Sequence, residues 1–126
     1  MSDTSRLEKG KEMFAAVYGK TVPIPEGAAY TPFTELMLTN LFGDVWGRET
    51  MSVRDRRLIL IGAIAALAPD PSMLIEIQLR AALDNGELQR EQLREIAIIL
   101  TQYIGYPRTV PVMQTIEKVL AETEAK

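Results

Sequence analysis

Histidine and cysteine are both absent from the 126 residues of this chain. Without imidazole it lacks the side chain most used as a general acid or base near neutral pH. Without thiols it lacks the usual redox centre and thiolate nucleophile. A Ser-His-Asp triad, a peroxidatic dithiol, a zinc-thiolate site, a histidine-ligated haem and a disulfide are therefore excluded. Catalysis, if any, has to run on carboxylates, Arg, Lys, Tyr, amides or a bound cofactor. No glycine-rich phosphate loop or metal-ligand cluster is present either. The expected inventory is no metal and no cofactor.

Other absences narrow the class. No segment sustains the apolar-polar alternation of a strand. The most apolar run, Leu58 to Ala68, is shorter than the roughly 20 residues that span a bilayer, so it reads as a buried core helix. The opening MSDTSRLEKGKEMF has no cationic start followed by an apolar block and is not read as a signal peptide. A net charge of −3, a pI near 5.0 and the lack of a basic stripe argue against nucleic acid as a partner. With no membrane segment and no sign of an oxidising compartment, a cytoplasmic location is expected.

What remains is globular. Apolar residues make up 47% against 25% charged, which suits one domain over residues 1–126 with a real core. Proline and glycine divide it into helices. The first is expected from about Ser5 to Tyr18, with Asp3, Thr4 or Ser5 as cap. GKTVPIPEGAAY is a loop. Thr31-Pro32 reads as N-cap and first helical residue of a helix reaching about Trp46. Ser52-Val53-Arg54-Asp55 resembles a capping box and opens the apolar helix, which stops near Ala68-Pro69. Asp70-Pro71 opens a fourth helix ending at the left-handed signal Asn85-Gly86. A fifth runs from about Arg90 to Ile104, and the last starts near Pro107 and frays by Glu124. Short connections imply a compact all-α bundle of about six helices.

The fourth helix allows a positional inference. At about 100° per residue, Glu76, Arg80 and Asp84 form one charged stripe, with Glu76 and Arg80 spaced for an ion pair. Gln78 falls opposite, beside Leu74, Ala81 and Ala82. A primary amide there is either a satisfied core group or the floor of a pocket.

Two blocks carry a resemblance. The first is Leu41-Phe42-Gly43-Asp44-Val45-Trp46-Gly47-Arg48, followed by Met51-Ser52-Val53-Arg54-Asp55-Arg56-Arg57-Leu58 and the apolar helix. The second is Gln78-Leu79-Arg80-Ala81-Ala82-Leu83-Asp84-Asn85-Gly86, followed after the next helix by Tyr103-Ile104-Gly105-Tyr106-Pro107. In order and spacing the chain resembles the carboxymuconolactone decarboxylase family over about residues 10 to 122.

The resemblance implies an alkylhydroperoxidase-like all-α fold and a ring-forming homo-oligomer, a homotrimer or homohexamer. It also implies a lyase of aromatic-compound catabolism that decarboxylates an unsaturated carboxylated lactone without a cofactor. The peroxidase branch of the fold uses a Cys-x-x-Cys pair and a histidine, so thiol peroxidase activity is not expected here. Decarboxylase members usually carry a histidine at the position of Gln78 and often a second at that of Ile99. Neither Gln78 nor Ile99 can shuttle a proton as imidazole does.

The candidate site follows. Arg48 can hold a substrate carboxylate in bidentate fashion, or it is an exposed or helix-capping arginine. Trp46 walls an apolar pocket, sits at a subunit contact, or fills the core. Tyr103 offers its hydroxyl to a ligand or stacks in the core. Gln78 and Tyr103 are the catalytic candidates; Arg48 and Trp46 are the substrate-binding ones. The cluster Arg54, Asp55, Arg56 and Arg57 reads as solvated or locally paired, with an acidic partner or ligand as the sharper alternative. Glu12, Glu35 and Glu76 show no convincing pairing. The expected ligand is a small carboxylated lactone or organic acid, decarboxylated or isomerised. The rival reading is a non-catalytic oligomeric relative, ligand-binding or scaffolding, that has lost the acid-base histidines.

Overall fold

The computed structural model of the chain describes residues 3–123. All regular structure among these residues is helical: α1 (Asp3–Tyr18), α2 (Pro32–Leu36) running on into a π-helical stretch (Met37–Trp46), α3 (Val53–Leu67), α4 (Ser72–Asp84), α5 (Arg90–Ile104) and α6 (Tyr106–Thr123). A single 3₁₀ turn at Gly27–Ala29 interrupts the loop before α2. The expected fraying at Glu124 lies outside the described residues.

The punctuation works as its chemistry requires. The Thr31 hydroxyl accepts from the Thr34 amide at 3.3 Å, with Pro32 in the first turn. Ser52 Oγ accepts from the Asp55 amide at 3.0 Å and starts α3. Asp70 Oδ1 accepts from the Ser72 amide at 3.3 Å, so α4 opens one residue beyond the proline. Gly86 takes φ 70°, and the Glu87 amide donates back to the Ala82 carbonyl at 2.9 Å, closing α4 as a left-handed cap does. A reciprocal Gln89–Gln92 box, not anticipated from the sequence, opens α5.

The chain divides into two compact units, Met1–Arg56 and Arg57–Lys126, with the boundary inside α3. In the first unit α1 lies against the π-helical stretch. Phe14, Val17, Leu38, Phe42 and Trp46 form its buried apolar residues. Phe14 meets Phe42 edge-on at 4.8 Å between ring centroids, and Phe42 stacks on Trp46 at 6.2 Å and 11°. The backbones touch at two glycines. A Cβ on Gly10 would stand 2.0 Å from the Leu38 carbonyl oxygen, and one on Gly43 3.1 Å from that of Arg6.

The π-helical stretch was not legible as such in the sequence, which reads as ordinary helix to Trp46. Within it the Thr39 hydroxyl donates to the Glu35 carbonyl at 2.9 Å, a back-bond that Thr101 and Thr115 also make in ordinary α-helix.

In the second unit the core is Ile61, Ala65, Ile75, Leu79, Ala82, Leu88, Leu93, Ala97, Val112, Ile116, Val119 and Leu120. Two arginines finish helices there. Arg108 donates to the carbonyls of Ala65 (3.1 Å) and Ala68 (2.9 Å) at the end of α3. Arg90 donates to the Leu120 carbonyl at 2.8 Å near the end of α6. Cations at these ends also favour the helix dipole.

Gly10→Ala must separate α1 from the π-helical stretch, because the atom that the new methyl meets is backbone. Overpacking of this kind costs about 1–3 kcal/mol. Urea denaturation of the variant should show a lower midpoint, and an unchanged midpoint would mean that the two backbones are not held in contact.

Candidate functional site

The fully buried arginine at the start of α3 dominates the second unit. Arg57 is 0% exposed and is the largest fully buried side chain described. Helical spacing puts it on one line with Ile61 and Ala65, the buried stripe of α3. Its guanidinium is met on three nitrogens. Nε donates to Glu87 Oε1 at 2.6 Å and Nη2 to Glu87 Oε2 at 3.1 Å, a bidentate pair. Nη1 donates to Gln78 Oε1 at 2.8 Å. Asn85 Nδ2 also donates to Glu87 Oε2 at 2.9 Å. One cluster thus ties α3, the middle of α4 and the turn between α4 and α5.

Gln78 is 4% exposed in this cluster, among Ile75, Leu79, Ala81 and Ala82, which are fully buried. Its amide oxygen is an acceptor for a buried cation. Of the neighbours anticipated for it, Ala81 and Ala82 are buried, whereas Leu74 is 42% exposed and belongs to the surface. The arrangement suits holding three segments together.

Arg57 and Glu87 were not singled out from the sequence. Arg57 was one of four charged residues expected to be solvated or paired nearby. That holds for Arg54, which pairs with Asp55 at 3.2 Å on the surface. It fails for Arg57 because the residue sits four before Ile61 and eight before Ala65, a spacing that was available as a signal. Glu87 gave none: it follows the cap glycine in an exposed-looking turn.

Trp46 and Arg48 lie in the first unit and share one open hollow of about 750 Å³. Trp46 is 7% exposed at the end of the π-helical stretch. The Arg48 amide closes the turn on the Val45 carbonyl at 3.2 Å. Arg56 Nη2 holds the Arg48 carbonyl at 3.0 Å, leaving the buried Arg56 Nε without a partner. The Arg48 side chain is exposed and forms no ion pair among the described residues. The stem of Lys9 crosses Gly47, where an added Cβ would stand 2.8 Å from Lys9 Cε. Glu8, Glu12 and Glu49 also border the hollow, so carboxylates outnumber the cations Lys9 and Arg48 there. Met13 and Met51 supply apolar wall.

Tyr103 is 82% exposed on α5, and Ile99, one turn earlier, is 55% exposed. The structure thus brings Trp46 and Arg48 to one hollow, buries Gln78 beside Arg57, and leaves Tyr103 on the surface. Among the described residues no group of three or more acidic side chains is placed to hold a metal ion. No helix there is long and apolar enough to cross a membrane.

The charged stripe on α4 forms as its spacing predicts. Arg80 Nε donates to Glu76 Oε2 at 3.0 Å and also pairs with Glu122, while Lys118 Nζ donates to Glu76 Oε1 at 2.9 Å. The bond from Lys118, with further help from Arg80, holds the Glu76 carboxyl below the ordinary glutamate value of 4.5 against the opposing effect of desolvation. A depressed folded-state value means stability that is complete above the unfolded value and lost as pH falls through the folded one.

Two predictions follow from these contacts. Removing one partner of a buried pair costs about 3–5 kcal/mol, so Glu87→Ala should lower unfolding free energy by about that amount. Arg57→Met combined with Glu87→Leu should recover most of the loss, and a double-mutant cycle measured by urea unfolding reads the coupling. Additive losses would mean that the pair does not hold the turn. Second, the wild-type thermal midpoint should fall more steeply than that of Glu76→Gln as pH drops from about 4.5, and parallel profiles would rule out the ion pairs of Glu76 as a source of acid sensitivity.

The chain matches no protein-family model, and no curated protein matches it.

Proposed function

We propose that this chain is a non-catalytic, ligand-binding relative of the carboxymuconolactone decarboxylases, with the alkylhydroperoxidase-like fold and a ring-forming homo-oligomeric state. The reading rests on the sequence blocks around Trp46-Arg48 and Gln78-Gly86. One observation carries its non-catalytic part: the amide of Gln78 accepts a 2.8 Å hydrogen bond from the buried Arg57 guanidinium. The position where the resembling family keeps its proton carrier is here committed to satisfying a core charge.

The hollow beside Trp46 and Arg48 is the proposed binding surface for a small carboxylated molecule. Its volume falls within the ~300–1,000 Å³ common for small-molecule sites. Arg48 is the group for the carboxylate, and Trp46, Met13 and Met51 border the space for the apolar body. The ligand must carry its charge close to Arg48 and Lys9, because Glu8, Glu12 and Glu49 repel an anion elsewhere on the rim. A cytoplasmic location belongs to the same proposal.

A second reading keeps the lyase activity. It is favoured by the meeting of Trp46 and Arg48 at one hollow. In that case cofactor-free loss of carbon dioxide, or an isomerisation, would draw on positioned donors for the enolate-like charge.

Purified protein offered carboxymuconolactone separates the two. The expected outcome is saturable binding by calorimetry, weakened about tenfold or more in Arg48→Ala, with no carbon dioxide released. Turnover that disappears in Arg48→Ala would establish the second reading instead. Gln78→His should gain no activity and should lose about 1–3 kcal/mol of stability, the cost of disturbing a buried hydrogen bond. Decarboxylation gained by Gln78→His would overturn the structural role of the amide.

A further inference from the structure

Around the hollow at Trp46 stand five charged side chains that form no ion pair among the described residues: Glu8, Lys9, Glu12, Arg48 and Glu49. Other charges of the same unit do pair. Arg6 meets Asp44, and Arg54 meets Asp55 at 3.2 Å. Opposite charges therefore line one space of about 750 Å³ without closing on each other. A ligand that carries both signs can bridge them.

Local structure sets where these charges sit. Glu8 and Glu12 stand one turn apart on α1, and both border the hollow. Like charges at this spacing weaken a helix. Lys9, three residues before Glu12, is spaced to offset it. Its stem crosses Gly47 instead, where an added Cβ would stand 3.2 Å from Lys9 Nζ. The ammonium is thus drawn away from α1, to the turn that carries Arg48, and the two α1 carboxylates keep no cation between them.

These charges narrow the class of ligand. A plain carboxylate answers Arg48 and Lys9 but brings a further negative charge beside Glu8 and Glu12. A plain amine answers the carboxylates and leaves the cations unmet. Glu49, next to Arg48 in the turn, tips the balance to three carboxylates against two cations, which disfavours a ligand that is only an anion. An ammonium has three N–H donors, enough for both α1 carboxylates at once. The apolar wall of Trp46 and Met13 suits a hydrocarbon body.

We infer that the ligand of this hollow is a zwitterion, an amino carboxylate with an apolar body, whose carboxylate is held by Arg48 with Lys9 and whose ammonium is held by Glu8 and Glu12. The inference rests on the binding site proposed above and names the chemistry of the ligand's second end.

Calorimetric titration with ε-aminocaproate, caproate and hexylamine tests it, with circular dichroism as the check on folding. A hydrogen bond to a charged group is worth about tenfold or more in affinity. ε-Aminocaproate should therefore bind at least tenfold more tightly than caproate or hexylamine. Glu8→Gln combined with Glu12→Gln should cancel its advantage over caproate, and Arg48→Ala its advantage over hexylamine. All three positions are exposed, so both variants should stay helical. Caproate bound as tightly as ε-aminocaproate, and weakened in Arg48→Ala, would overturn the zwitterion and leave the carboxylate site standing. Hexylamine bound as tightly as ε-aminocaproate, with no effect of Arg48→Ala, would overturn both. Wild type that binds none of the three would also overturn both.

Discussion

A guanidinium taken out of water needs a counter-charge and an acceptor for each N–H pointed into the protein. Arg57 has both, from Glu87 and Gln78. The consequences reach through the second unit. The start of α3 must face the middle of α4, and the turn after α4 must bring Glu87 back beneath it. The left-handed Gly86 makes that return feasible, since a residue with φ 70° reverses the chain within one step. The stripe of Arg57, Ile61 and Ala65 then faces inward as a line, with the ion pair at one end and apolar packing along the rest. Such a pair is a weak source of net stability but a strong penalty on any other arrangement, because every alternative strands a buried charge.

The first unit is organised by a different constraint, close backbone approach. Gly10 and Gly43 leave no side chain between α1 and the π-helical stretch, so the aromatic residues Phe14, Phe42 and Trp46 can meet across it. The wider spacing of the π-helical stretch ends at Trp46, and the Gly47 turn that follows is narrow enough for the Lys9 stem to pass. The hollow at Trp46 and Arg48 adjoins that meeting: the tryptophan stacks on Phe42, and the Arg48 backbone is held by the Val45 carbonyl and by the Arg56 guanidinium from α3.

Helix positions were readable from the sequence because their signals are local. Thr31-Pro32, Ser52 with Asp55, and Asn85-Gly86 each act within four residues, and each does what its side chain or φ preference dictates. The π-helical register escaped because Met37–Trp46 carries the same apolar spacing as an ordinary helix. The candidate site was legible in part. Trp46 and Arg48 are neighbours in the chain, and their shared hollow needed little tertiary information. The fate of Gln78 depended on Arg57, and charge clusters are normally read as solvated. Periodicity along α3 contradicted that habit and carried the better information. Glu87 could not be found at all without the turn that returns it to Arg57.

An amide and an imidazole at position 78 would differ in more than one titrating group. The Gln78 oxygen accepts from a permanent cation, and an amide can do so at every pH. An imidazole in its place would have to present a neutral ring nitrogen to Arg57, and the neighbouring positive charge would oppose its protonation. Proton transfer requires that the ring charge at some stage, so the same guanidinium that makes an acceptor necessary makes a shuttle costly. Accepting from Arg57 and carrying a proton are therefore opposed tasks at this position as long as Arg57 remains buried. An uncharged amide oxygen at position 78 meets the demand of Arg57 without that cost.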